Sequence, residues 1–148
     1  GKRDLGGRFG ADRVIDPLRE DLKTKGREWT RGAGFETILE CSGVAENLPL
    51  AFELAANGGS VCMISILFGG IFLNQPMILN FKELAFTGSY SNTHEENRQC
   101  LAWMAEGRID ARPMISDLIG LELLPRVYRE RIHPGKAVKV LLRIGAEF

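Results

Sequence analysis

Short apolar runs alternate with stretches of helical spacing along most of this chain, and small-residue turns separate them. Residues 37–41 form an apolar run that reads as a strand. Residues 44–56 follow with Leu48, Phe52 and Ala55 at inward helical spacing, and Asn57-Gly58-Gly59 stops that helix. Residues 61–66 are almost continuously apolar, which suits a strand buried on both faces. Residues 35–66 therefore predict a βαβ unit, with the Ser42-Gly43 turn at the carboxyl end of its first strand. Open α/β sheets bind their ligands at that edge.

The flanks carry weaker patterns. Residues 2–9 have a helical character that Gly6-Gly7 weakens, and residues 13–16 read as a very short strand closed by Pro17. Residues 18–30 predict a helix with Leu18, Leu22 and Trp29 inward, ended by Gly32 and Gly34. After a loop over 67–80, one helical turn falls at 80–84 and a strand at 85–90. Thr93-His94-Glu95-Glu96 is a capping box, and the helix it opens is expected to bury Cys100, Leu101 and Met104. Residues 113–120 are extended and 121–132 helical, with Pro125 tolerable only in the first turn. Pro134-Gly135 makes a turn into a last strand, 137–144, alternating Val138, Val140 and Leu142 against Lys139 and Arg143.

Composition removes several classes of function. A chain of 148 residues with zero formal net charge carries no electrostatic signature of a nucleic-acid or acidic partner. The mild basic cluster near the C-terminus is diluted by Glu122, Glu130 and Glu147 and reads as a solvated face. No apolar run approaches the roughly 20 residues of a membrane span, so no membrane partner is expected. The opening Gly1-Lys2-Arg3-Asp4 is neither a secretory nor a transit signal. Cys41, Cys62 and Cys100 form no close pair, which predicts reduced thiols and a cytoplasmic location. Cys41 is expected to be a small buried hydrophobe. His94, His133 and the scattered cysteines lack metal-ligand spacing, and no Ser-His-Asp arrangement or carboxylate pair stands out. The expectation is thus no metal site and no catalytic residue.

Several blocks in order carry a resemblance. Residues 2–17 (KRDLGGRFGADRVIDP) match a helix followed by a GAD-x-VI segment, and 30–35 (TRGAGF) match a TxGxGxD approach to a strand. Glu40-Cys41-Ser42-Gly43 matches the E-C/A-S/T-G end of that strand, 57–66 a GG-x-VV-x-VGI strand, and 81–90 a KEL-x-x-x-GSY block. GRIDARPMI at 107–115 and GKAVKVLL at 135–142 match closing segments. The chain resembles the C-terminal part of the medium-chain dehydrogenase/reductase superfamily, specifically its zinc-dependent alcohol and polyol dehydrogenases of the sorbitol, threonine and butanediol type. Gly6, Glu36 and Ser65 depart from the family's usual Ala, Asp and Gly.

The resemblance implies an α/β fold: a partial Rossmann-like doubly wound sheet lacking the first two strands, with a C-terminal helix-strand extension. It implies an incomplete dinucleotide-binding domain over 1–91 and a segment, 92–148, that belongs to the catalytic domain in relatives, the two packed as one body. NAD or NADP is the implied cofactor, although the family's zinc ligands and GxGxxG loop fall before the first residue. Cofactor-facing positions carried over are Ser42 and Gly43, then Ile64, Ser65 and Ile66, then Gly88, Ser89 and Tyr90, and finally Lys139 near the pyrophosphate. Each has a plainer reading beside it. Ser42 serves equally as a cap for the following helix, the strand-end residues as core, and Lys139 as an exposed strand lysine.

In the family's strand order, 3-2-1-4-5-6, the strand at 37–41 pairs with strand 1, so here its edge is open. Three coverings are expected as alternatives: Val14-Ile15 moves across, the strand at 137–144 covers the edge, or two chains meet there. A homo-oligomer through the sheet edge is the expectation. Two functions follow: part of an NAD(P)-linked dehydrogenase without activity of its own, or a non-catalytic module that binds partners through the free edge.

Overall fold

The computed structural model describes residues 2–145. In chain order its elements are α1 (Lys2–Arg8), α2 (Leu22–Trp29), β1 (Phe35–Glu40), α3 (Asn47–Leu54) and β2 (Ala55–Met63). Then come α4 (Ile78–Phe81), β3 (Ala85–Gly88), α5 (His94–Ala105), β4 (Ile115–Gly120), α6 (Leu124–Val127) and β5 (Lys139–Arg143). The chain divides into two compact units, one spanning Ile15–Ser91 and one joining the residues up to Val14 with those from Asn92 onward.

The Ile15–Ser91 unit holds a three-stranded parallel sheet in the order β1-β2-β3. Ile38 pairs with Val61 and Val61 with Phe86, so the expected βαβ unit is present with α3 as its crossover. Leu48, Ala51, Phe52, Ala55 and Val61 are buried together, and Ile38, Met63, Ile78 and Leu84 pack against them. The Phe52 ring meets Phe86 edge-on, with centroids 5.2 Å apart. Two positions explain how α2 and α3 join the sheet. Asp21 caps α2 by accepting from the Thr24 amide at 2.7 Å. Gly34 has φ of 86°, and a Cβ there would lie 2.7 Å from the Ala56 nitrogen, so only glycine admits this turn into β1.

Lys82 ties the far end of α3. Its ammonium donates to the carbonyls of Phe52 at 3.2 Å, Glu53 at 2.8 Å and Ala55 at 2.7 Å. A helix leaves its last four carbonyls without internal partners. Lys82 takes two of these and the one beyond.

The second unit pairs β4 with β5 in parallel, with Leu118 opposite Leu141. The capping box is formed: the Glu96 amide donates to Thr93 Oγ1 at 3.2 Å, and the Thr93 amide donates to the Glu96 carboxylate at 2.6 Å. Residues 121–132 run as 3-10, α and π turns in succession, with Pro125 in the first turn of α6. Gly6 has a packing reason. A Cβ on it would stand 3.1 Å from Val14 Cγ2, tighter than a comfortable contact.

Several expectations fail for identifiable reasons. Residues 13–16 are not a strand, because a strand exists only by pairing and none of the described strands lies beside them. Among the described residues β1 pairs with β2 alone, and the C-terminal strand β5 pairs with β4. Leu18 is 93% exposed, because the helix starts only after the Asp21 cap. Likewise α3 starts at Asn47 and ends at Leu54, with Ala55 already extended. The strands expected over 61–66 and 85–90 end at Met63 and Gly88. Cys100, Leu101 and Met104 are exposed on α5, Leu101 by 66%. Helical spacing marks a face, and only a packed neighbour buries it.

Candidate functional site

Parallel pairing sets the carboxyl ends of the three strands side by side. Glu40 is in register with Met63, and Met63 with Gly88. The chain beyond each strand stays laced to its neighbour. The Ile64 and Ser65 amides donate to the Glu40 carbonyl at 2.9 and 3.2 Å, and the Ser89 amide to the Met63 carbonyl at 2.9 Å. Ser42, Gly43, Ile64, Ser65, Ile66, Gly88 and Ser89 therefore share one rim. Tyr90 follows on it, 87% exposed. Lys139 opens β5 in the other unit, paired with Ile115.

Two of these loops touch closely. Gly43 has φ of 71°, and a Cβ on it would meet the Ile66 carbonyl oxygen at 3.2 Å and Ser65 Cβ at 3.9 Å. A glycine here lets the turn after β1 lie against the loop after β2.

Glu40 holds the two loops together. It is the buried charged residue of the described set, 5% exposed. The Ser42 hydroxyl donates to Oε1 and the Ser65 hydroxyl to Oε2, while the Ser42 amide donates to Oε1 at 2.8 Å. Burial pushes the Glu40 carboxyl up, but the Ser42 and Ser65 hydroxyls and the Ser42 and Gly43 amides outweigh it and hold it below the usual glutamate value. A folded-state value below the unfolded one means that ionised Glu40 favours the fold above the ordinary glutamate pKa. That contribution is lost as pH falls through its own lower value.

Ser42 is not the cap of α3. Its oxygen accepts from the Val44 amide at 3.2 Å and from Asn47 Nδ2 at 2.9 Å, and Glu46 stands at the cap without a side-chain bond. Cys41 is exposed, not buried, since it faces outward after the last paired residue of β1. Glu40 and Lys82 were the residues missed. Both sit inside motif blocks, and the available signal was a charge embedded in an otherwise apolar or small-residue run.

The outer edge of β1 carries no strand among the described residues. A groove of about 660 Å³ runs along it, lined by Leu22, Phe35, Ile38, Leu39, Leu50 and Leu54 among others. No group of three or more His, Cys, Asp or Glu that could hold a metal ion is found among the described residues. No helix among them is long and apolar enough to cross a membrane.

Known proteins share this architecture. An alcohol dehydrogenase from Thermus sp. ATN1 superposes with a TM-score of 0.88 at 28% identity, over 97% of this chain and 41% of that one. A protein of Sinorhizobium meliloti 1021 described as a zinc-binding dehydrogenase and bound to NADP gives 0.85 at 32% identity, over 97% and 42%. Sorbitol dehydrogenase of Halalkalibacterium halodurans is 27% identical over 138 residues, 90% of this chain and 38% of that protein. The chain thus spans about 40% of the length of the relatives it matches. The sequence profile of the zinc-binding dehydrogenases matches residues 1–106, most of the chain, and with a parallel Rossmann-like sheet beneath it this chain belongs to that family.

Proposed function

We propose that the rim after β1, β2 and β3 forms the nicotinamide-side wall of an NAD(P)-linked alcohol or polyol dehydrogenase. The observation that carries this is the convergence of Ser42-Gly43, Ile64-Ser65-Ile66 and Gly88-Ser89 at the carboxyl ends of adjacent parallel strands. Gly88 leaves open space where a side chain would stand, and Gly43 draws the two loops together, so a flat ring has room to approach backbone. Backbone carbonyls and Ser65 would orient the ring. Lys139 is offered for the pyrophosphate on the resemblance alone. The bound nicotinamide supplies the hydride chemistry, and this chain's residues supply position and shielding from water. By itself the chain is expected to show no dehydrogenase turnover. A cytoplasmic site of action accords with three free cysteines.

Calorimetric titration of the chain with NAD and with NADP tests the wall. Binding tighter than about 1 mM, about −4 kcal/mol, is the expected result, and silence with both overturns the reading.

We also propose that two copies associate through the open edge of β1. The support is an edge strand with unpaired backbone groups beside an apolar groove, a combination that favours pairing with a second strand. Sedimentation equilibrium at micromolar concentration is expected to give a dimer, and a clean monomer rejects the proposal.

A further inference from the structure

The hydrogen-bond directions around Glu40 specify what this rim can receive. An ionised carboxylate only accepts, so each serine must give its single hydroxyl proton to Glu40. Ser42 Oγ then fills both lone pairs, with the Val44 amide at 3.2 Å and Asn47 Nδ2 at 2.9 Å. Ser42 has nothing left for a ligand. Ser65 Oγ makes no other hydrogen bond among the described residues, and it is half-exposed. Its two lone pairs are therefore open and its proton is committed. The Ser42 amide is turned to the carboxylate as well.

We propose that Glu40 sets the proton direction at this rim: it leaves Ser65 Oγ as an acceptor, so the ligand group seated there is a hydrogen-bond donor such as a primary carboxamide, and not an anion. This rests on the rim being a nicotinamide wall and names the end of the cofactor that Ser65 meets. The same arrangement gives the family-atypical Ser65 a role that glycine cannot perform. Glu40 acts as a positioning residue through the serine and touches no ligand itself. The depressed ionisation of Glu40 agrees with this, because hydroxyl and amide donors are what lower it and no charged neighbour is among the causes.

The test compares two dinucleotides on the full chain. One is NADP, and the other is its 3-acetylpyridine analogue, in which a methyl ketone replaces the carboxamide and removes the N–H donor. Wild type is expected to bind NADP about tenfold more tightly than the analogue, the effect of leaving one polar group unpaired. In Glu40→Gln the amide oxygen keeps the Ser42 amide and the NH2 group takes the place of Oε2, so it donates to Ser65 Oγ and releases that hydroxyl proton towards the ligand, and the ratio falls to within about twofold. Ser65→Ala, which keeps the Glu40–Ser42 half of the clamp, is expected to lose the discrimination equally. A purely structural Glu40 would weaken both ligands alike and leave the ratio unchanged. An unchanged ratio in both variants, or no discrimination in wild type, overturns the proposal.

If wild type binds neither dinucleotide, the cofactor reading fails, and the carboxamide assignment falls with it. The proton direction is then decided without ligand, by a carbon-13 titration of the Glu40 carboxyl. A midpoint below the ordinary glutamate range that rises in Ser65→Ala supports it, and a midpoint at or above that range overturns it.

Discussion

Phe52→Ala is expected to destabilise the Ile15–Ser91 unit by about 3–5 kcal/mol, a large fraction of the stability of a unit this size. Phe52 is 1% exposed and is the largest fully buried side chain among the described residues. It projects from α3 onto Val61 of the central strand and meets the Phe86 ring edge-on at 5.2 Å. The loss combines removed burial, the cavity left behind and the aromatic pair, the last contributing about 0.5–1.5 kcal/mol. Phe52→Leu keeps most of the volume and is expected to cost much less. Urea unfolding followed through Trp29 in a Trp103→Phe background isolates this unit, because Trp29 lies in it and Trp103 does not. A cost for Phe52→Ala under about 1 kcal/mol would contradict a core centred on this ring.

Lys82→Met has the second largest expected effect, about 2–3 kcal/mol, in the same urea assay. Methionine keeps the apolar stem and removes only the ammonium, so the carbonyls of Phe52, Glu53 and Ala55 lose their shared donor. Hydrogen bonds from a charged group contribute about 1.5–3 kcal/mol, and carbonyls left dry cost more than carbonyls returned to water. Burial, with Arg27 nearby, holds the Lys82 pKa below the ordinary lysine value. Desolvation therefore offsets part of the gain, and the expected figure is below a sum over three bonds. Lys82→Gln offers two N–H donors and is expected to recover part of the loss. If Lys82→Met and wild type unfold at the same urea concentration, the lysine contacts contribute nothing net.

Much of this fold was legible in the residues. The βαβ unit at 35–66 followed from apolar runs around a helix-spaced segment; Leu48 and Phe52 are buried as that spacing requires, whereas Ala55 is buried as the first residue of β2. The capping box at Thr93 was legible too, since its partners lie three residues apart. The rim residues from Ser42 to Ser89 were placed by motif order, and parallel pairing brings their strands together. What failed depended on distant partners. Residues 13–16 have strand composition without a neighbour to pair with. The apolar positions of α5 have helical spacing, yet Leu101 remains exposed. Cys41 looked like a core residue until the strand ended one position before it.

Glu40 and Lys82 show the same limit from the polar side. Each stands inside a motif block, and nothing local says where its charge is satisfied. The Glu40 carboxylate reaches Ser65 across 25 positions of sequence, and Lys82 reaches the α3 carbonyls across 27 to 30. Periodicity, caps and glycine turns act over a few residues, so the sequence by itself determined the βαβ unit, the capping box and the family. Which strand lies beside which, which apolar faces are covered, and which way the protons point around Glu40 were decided only by tertiary structure. Those depend on groups that meet through folding, and an acceptor-only carboxylate between two serines turns that meeting into a chemical preference at the sheet's edge.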